Sequence, residues 1–155
     1  MVIDSHFRAP KAIEDDIKLR KFLDGASDEG VIYVSFGSVI KASLMGEDKR
    51  KALLNVFAKL KQKVLWKWET EHMDDKPPNV MLHKWLPQQD VLGHPNVKLF
   101  ISHGGQSSFQ ETVCHQKPAV SFKFNNKYLY NLKLQETRKL QKYNVLFFII
   151  SYLFL

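Results

Sequence analysis

"KLFISHGGQSSFQETVCH", residues 98–115, joins an apolar run to a longer mixed one through two glycines. Lys98 to Ser102 carries Leu99, Phe100 and Ile101 in succession, the composition of a strand buried on both faces. His103-Gly104-Gly105 then reads as a tight turn. A helix is expected to begin near Gln106 or Ser107 and to run to His115. Strand, glycine turn and helix in that order make the repeating unit of an α/β protein.

The same alternation continues in both directions. Upstream, "GVIYVSFGS" (30–38) predicts a buried strand over Val31–Phe36 that ends in a turn at Gly37-Ser38. "EDKRKALLNVFAKLKQK" (47–63) places Leu53, Val56, Phe57 and Leu60 at helical spacing, with acids leading and lysines closing, as the helix dipole favours. "VLWKW" (64–68) returns as a strand, a polar proline-bearing loop follows, and "VMLHKW" (80–85) is another strand. "QQDVL" makes a short helical turn before His94-Pro95, and "PAVSF" (118–122) closes the pattern as a strand. The predicted architecture is α/β, a Rossmann-like parallel sheet with flanking helices. In such sheets ligands sit beyond the carboxyl ends of the strands, which singles out the turns Gly37-Ser38 and His103-Gly104-Gly105.

Composition narrows the functional classes. The chain has 155 residues, 45% hydrophobic and 25% charged, which suits one folded domain. Its one cysteine, Cys114, rules out an internal disulfide framework, and its place in a predicted helix suggests a small buried apolar role. No CxxC or HExxH spacing is present. The net charge of +7 is local: residues 123–142 hold six basic side chains and one acid, leaving +2 for residues 1–122. With no basic stripe on the main body, nucleic acid is not an expected partner.

The residues from Trp85 to Glu111 carry the chemistry. Gly104-Gly105 lets backbone approach a ligand, and the helix behind it offers free N–H groups and partial positive charge to an anion. His103 can donate to a phosphate oxygen, and Ser107 or Ser108 can cap the helix or bind the same anion. Glu111, one turn on, can accept from a ribose diol, Gln88 can meet the ribose with either end of its amide, and Trp85 offers a flat face to a nucleobase. Each has a plainer reading alone: Trp85 as core, His103 as a structural imidazole, Gly-Gly as a common turn, Glu111 as a solvated helix residue. His94-Pro95 reads as structural, opening a turn before a strand. The glycines are not a GxGxxG fingerprint, so they give little support to a nicotinamide cofactor.

Together the residues are far more specific. The run W-x-P-Q-x-x-x-L-x-H-P-x-x-x-x-F-[IV]-[ST]-H-G-G-x-x-[ST]-x-x-E resembles the donor-binding signature of the UDP-glycosyltransferases, and fourteen positions from Trp85 to Glu111 match in register. With "FLDGASDEGVIYVSFGS" and "FAKLKQKVLWKWE" upstream, the resemblance covers roughly residues 18–122, closest in flavour to animal and insect-like glucuronosyl/glucosyltransferases. It implies the C-terminal half of a GT-B enzyme, in which two Rossmann-like domains face each other and the C-terminal one holds the UDP-sugar. Trp85 would then stack on uracil, and Gln88 and Glu111 would take the ribose. His103, Ser108, Ser38 and the helix end at Gly104-Gly105 would hold the diphosphate. The implied reaction inverts the sugar carbon, transferring a hexosyl or glucuronosyl group to small lipophilic acceptors, as in detoxification. UDP-sugar would be a co-substrate, with no cofactor and no metal.

The chain also departs from that pattern. Met1 lies 30 residues before Val31, so the acceptor domain and its catalytic base are expected to be missing, no catalytic residue is assigned here, and the isolated chain is expected to be inactive. The family continues to a D-Q-x-x-N segment that grips the sugar. Here Asn131 fits the final position, while Lys127 and Tyr128 stand where the acid and amide belong. The expected organisation is a lead-in (1–17), a partial UDP-sugar-binding domain (18–131) and an atypical basic then apolar tail (132–155). The tail's uncharged run from Tyr143 to Leu155 is too short to cross a bilayer as a helix. The resemblance implies an endoplasmic reticulum membrane location. The absence of a signal peptide and of a full-length membrane helix instead favours the cytoplasm. The alternative function is a non-catalytic UDP-binding module, or a truncated regulator that associates with a full-length homologue or a membrane.

Overall fold

A computed structural model describes residues 13, 16–26, 28–38, 41–70, 72–122 and 147–150. Lys127, Tyr128 and most of the tail lie outside the described residues. The elements run α1 (Ile17–Asp24), β1 (Val31–Ser35), a 3-10 turn (Ala42–Leu44), α2 (Glu47–Phe57), β2 (Lys63–Lys67), β3 (Val80–His83), α3 (Gln88–Gly93), β4 (Val97–Ser102), α4 (Gln106–Cys114), β5 (Ala119–Phe122) and β6 (Phe147–Ile150). The strands form one sheet in the order β3-β2-β1-β4-β5-β6, every adjacent pair parallel. This confirms the Rossmann-like expectation and adds residues 147–150 of the predicted tail as its edge strand.

Parallel strands covered on both faces read as unbroken apolar runs, and β1 is buried at all five positions. One face packs Val31, Tyr33, Leu65, Val97 and Phe100 against Leu19 and Leu23 of α1 and Val91 and Leu92 of α3. The other packs Ile32, Val34, Val64, Trp66 and Ile101 against Leu54 and Phe57 of α2. The alternation along β1 sends odd residues to one core and even residues to the other.

Three elements differ from the sequence expectation. α1 carries no prediction, yet Asp16 caps it, accepting from Leu19 N at 2.9 Å, and Leu19 and Leu23 bury its inner face. α2 stops at Phe57, because Asn79 Nδ2 donates to the carbonyls of Phe57, Leu60 and Gln62 at 2.9, 3.3 and 3.0 Å and so takes over the helix end. Leu54 joins Phe57 inside, and Val56 is exposed. β3 ends at His83, since its partner β2 ends opposite it at Lys67, and Trp85 leaves the sheet. Cys114 is also exposed: α4 turns Ser108, Thr112 and Val113 inward and its last residue outward.

Candidate functional site

The strand order reverses between β1 and β4, which lead to helices on opposite sides, and a crevice opens beyond their carboxyl ends. It is a cleft of about 540 Å³ lined by Tyr33, Ser35, Gly37, Ser38, Lys67, Trp85, Leu86, Pro87, Gln88, Gln89, His103, Ser107, Ser108 and Glu111. Six of the eight predicted positions line it: Ser38, Trp85, Gln88, His103, Ser108 and Glu111. Gly104 and Gly105 do not line it; they lie in the link between β4 and α4, next to the lining residue His103. His94 lies elsewhere, bonded to Asp24 Oδ1 at 3.1 Å and accepting from Asn96 N at 3.2 Å, a turn-forming role.

Trp85 is 69% exposed. A side chain of that size left in water at a cleft mouth presents a free aromatic face, and the core reading of this residue fails because β3 ends before reaching it. Gln88 opens α3, and its amide is fully oriented. Its Oε1 accepts from the Tyr33 hydroxyl at 3.2 Å, while Nε2 donates to Ser108 Oγ at 3.2 Å and to Glu111 Oε2. Three elements, β1, α3 and α4, are thereby tied at one point.

His103 leaves β4 with its ring between two glycines. A Cβ on Gly37 would stand 2.8 Å from His103 Cε1, and one on Gly105 would stand 2.6 Å from Nε2, so any side chain at either place displaces the ring. Gly104, between His103 and Gly105 in the chain, takes φ +77°, its N–H donating to Ser102 Oγ at 2.9 Å. Burial pushes the His103 imidazole pKa down, which keeps the ring neutral at pH 7. Its Nδ1 is buried with no partner among the described residues. The Nε2 edge, beside Gly105, faces the start of α4. That helix has no side-chain cap and no acid in its first turn, so its leading N–H groups and the imidazole address the same spot.

Sequence reasoning missed Tyr33, Ser35, Lys67, Leu86 and Gln89 among the lining residues, and two of these carry bonds that shape the cleft. Tyr33 reads as one more apolar strand position, and its link to Gln88 spans 55 residues. Lys67 ends β2, where its Nζ donates to Gly37 O at 3.1 Å and lies 3.9 Å from Glu69 Oε1. The available signal was its place at the carboxyl end of a strand next to β1. Among the described residues no cluster of three or more His, Cys, Asp or Glu could hold a metal ion. The cleft thus offers a flat apolar face, carboxylate and amide acceptors for hydroxyls, and an ammonium, an imidazole and a helix end for an anion.

Fold and cleft together define the Rossmann-like half of a GT-B glycosyltransferase. Solved structures share the fold: the glycotransferase of kitacinnamycin, at TM-score 0.61 and 27% identity over 81% of this chain and 31% of that one. Os79 from O. sativa, in complex with UDP and deoxynivalenol-3-glucoside, gives TM-score 0.63 at 21% identity over 80% and 30%. The model of the family described as UDP-glucoronosyl and UDP-glucosyl transferase matches residues 2–141, and the chain belongs to that family. Relatives include UDP-glycosyltransferase UGT5 of Dactylopius coccus, 40% identical over 84% of this chain and 24% of that protein. UDP-glucuronosyltransferase 2B19 of Macaca fascicularis is 38% identical over 66% of this chain and 19% of its own length. The chain spans about a quarter of the length of its first curated relatives.

Proposed function

We propose that this chain is the donor-nucleotide half of a UDP-glycosyltransferase and that its cleft receives the UDP of a UDP-sugar. The observation that carries the reading is the convergence of Ser38, Trp85, Gln88, His103, Ser108 and Glu111 on one crevice at the switch point of the sheet. Uracil stacks on the exposed Trp85 indole. The ribose hydroxyls donate to Glu111 and Gln88. The diphosphate meets His103, Ser38, Ser108 and the start of α4, with Lys67 supplying a cation beside Gly37. In the whole protein a hexosyl or glucuronosyl group passes to a small lipophilic acceptor with inversion at the sugar carbon. The base that takes the acceptor proton belongs to a domain facing this one. Negative charge grows on the departing diphosphate, and preorganised donors at the helix end stabilise it. The scheme uses no cofactor and no metal.

A second reading rests on Lys127 and Tyr128, which replace the acid and amide of the sugar-gripping segment. A lysine has donors only and a tyrosine one hydroxyl, so hexose hydroxyls lose acceptors worth roughly 1–3 kcal/mol each. The chain then acts as a UDP-binding module, alone or as a regulator associated with a full-length homologue or a membrane. Among the described residues no helix is long and apolar enough to cross a membrane. Calorimetry with UDP and UDP-glucose separates the readings. Equal affinities favour the module, a much tighter UDP-sugar favours a complete donor site, and no binding of either rejects both.

A further inference from the structure

We propose that Tyr33 is a positioning residue of the nucleotide site: its hydroxyl fixes the Gln88 amide, and through it the Glu111 carboxylate, and so sets the preference for a nucleotide that carries ribose hydroxyls. The inference rests on the nucleotide reading of the cleft given above.

Tyr33 occupies the middle of β1, with no exposed surface, and its ring stacks on Phe100 of β4 at 5.0 Å and 11°. That register follows from the β1–β4 ladder, in which Tyr33 pairs with Phe100. A phenylalanine would pack there equally well, so packing does not explain the hydroxyl. A buried hydroxyl is costly unless bonded, and this one reaches Gln88 Oε1 at 3.2 Å. Burial raises its pKa far above the usual phenol range, Ser35 offsetting part of the rise and the Glu111 charge adding to it, so it remains a donor at every relevant pH.

The consequence for Gln88 is directional. Its oxygen is held toward β1, and both amide hydrogens are directed to Ser108 Oγ and Glu111 Oε2. A flipped amide would set its oxygen against the Glu111 carboxylate, an acceptor facing an acceptor. Gln88 therefore has no spare N–H for a ligand. It offers one remaining lone pair, and its main effect is to hold Glu111 by Oε2 and leave Oε1 to accept from a diol. The expectation that Gln88 serves the ribose with either end of its amide is replaced by a relay running from Tyr33 through Gln88 to Glu111.

The test compares UDP with 2′,3′-dideoxy-UDP on the 155-residue chain, by calorimetry, for wild type, Tyr33→Phe, Gln88→Ala and the double variant. Y33F keeps the ring and its stacking, and a melting curve confirms the fold. The wild type is expected to prefer UDP by roughly tenfold or more. Y33F is expected to bind the dideoxy nucleotide as wild type does while its preference for UDP falls roughly three- to tenfold. Q88A should lose the preference as well, and adding Y33F to it should change nothing further. The proposal is overturned if Y33F weakens both nucleotides equally, as a merely structural role would do. It is also overturned if Y33F retains the full preference, or if its effect adds to that of Q88A. A wild-type chain that binds neither nucleotide overturns the site reading itself, which is a distinct outcome.

Discussion

Replacing Gly105 by alanine isolates the seat of His103 from the rest of the fold. Gly105 has φ −64° and ψ 148°, a conformation open to any residue, so the substitution introduces no backbone strain. The added Cβ would stand 2.6 Å from His103 Nε2 and 2.8 Å from Cε1, whereas ordinary contact begins at 3.4 Å. The ring must retreat by roughly 0.8 Å, on the side of the ring where Gly105 stands; on Gly37, too, a Cβ would come within 2.8 Å of Cε1, so the seat fits the ring closely at both glycines. The fold loses little, within about 0.5 kcal/mol, because the ring is the free end of a side chain. The bond proposed from imidazole to a phosphate oxygen would be lost, and a hydrogen bond to a charged group contributes about 1.5–3 kcal/mol. UDP affinity is therefore expected to fall roughly ten- to hundredfold, with a melting temperature close to that of the wild type. Calorimetry on Gly105→Ala, His103→Ala and the pair checks this, and the double variant should bind no worse than H103A. Wild-type affinity in G105A, or additive losses in the pair, would refute the argument that the two glycines exist to seat the imidazole.

Trp85→Ala should leave thermal stability unchanged within about 0.5 kcal/mol, since the side chain is exposed, yet weaken UDP by about 1–3 kcal/mol of lost stacking. A large drop in melting temperature would return Trp85 to the core. Asn79→Ala removes the donor shared by three carbonyls that end α2 and should cost about 1–3 kcal/mol in denaturant unfolding, with the cleft's ligand affinity unaffected. Burial holds His103 and His115 below the ordinary 6.5, so the unfolded chain binds more protons as pH falls through that value and stability declines below it. Asp16 and Glu69, lowered from 3.8 and 4.5, add stabilisation that is present above those values and lost as pH falls through their folded-state pKa. The melting temperature should fall between pH 7 and pH 5, less steeply in His103→Gln, and a rise over that interval would contradict the burial of these imidazoles.

The sheet was legible because parallel strands covered on both faces leave no alternation to confuse: "VIYVS" and "KLFIS" are strands on composition alone. Six of the eight predicted donor positions share one cleft for a related reason: Ser38, Trp85 and His103 lie just past the carboxyl ends of β1, β3 and β4, and Gln88, Ser108 and Glu111 lie on the helices that follow β3 and β4. What stayed hidden depends on contacts between distant residues. The end of α2 is set by Asn79, seventeen or more residues away from the carbonyls it binds. α1 passes unnoticed because only Leu19 and Leu23 bury it among charged neighbours, and its cap Asp16 reads as one more acid beside Asp15. The Tyr33 hydroxyl is invisible in a strand pattern that treats tyrosine as another apolar residue. Cys114 shows the converse error, in that a residue type most often buried was assigned inside while the helix face placed it outside.

Tryptophan emission during a UDP titration reports whether uridine diphosphate occupies this cleft. The chain has three tryptophans. Trp66 and Trp68 are buried in the sheet's second core, and Trp85 stands exposed at the cleft. Iodide should therefore quench Trp85 selectively, and a stacked uracil should shield it. UDP should give saturable protection from iodide, absent in Trp85→Phe and much weaker for ADP at the same concentration. Unchanged iodide quenching at saturating UDP, or equal protection by ADP, would contradict a uridine diphosphate site in this cleft.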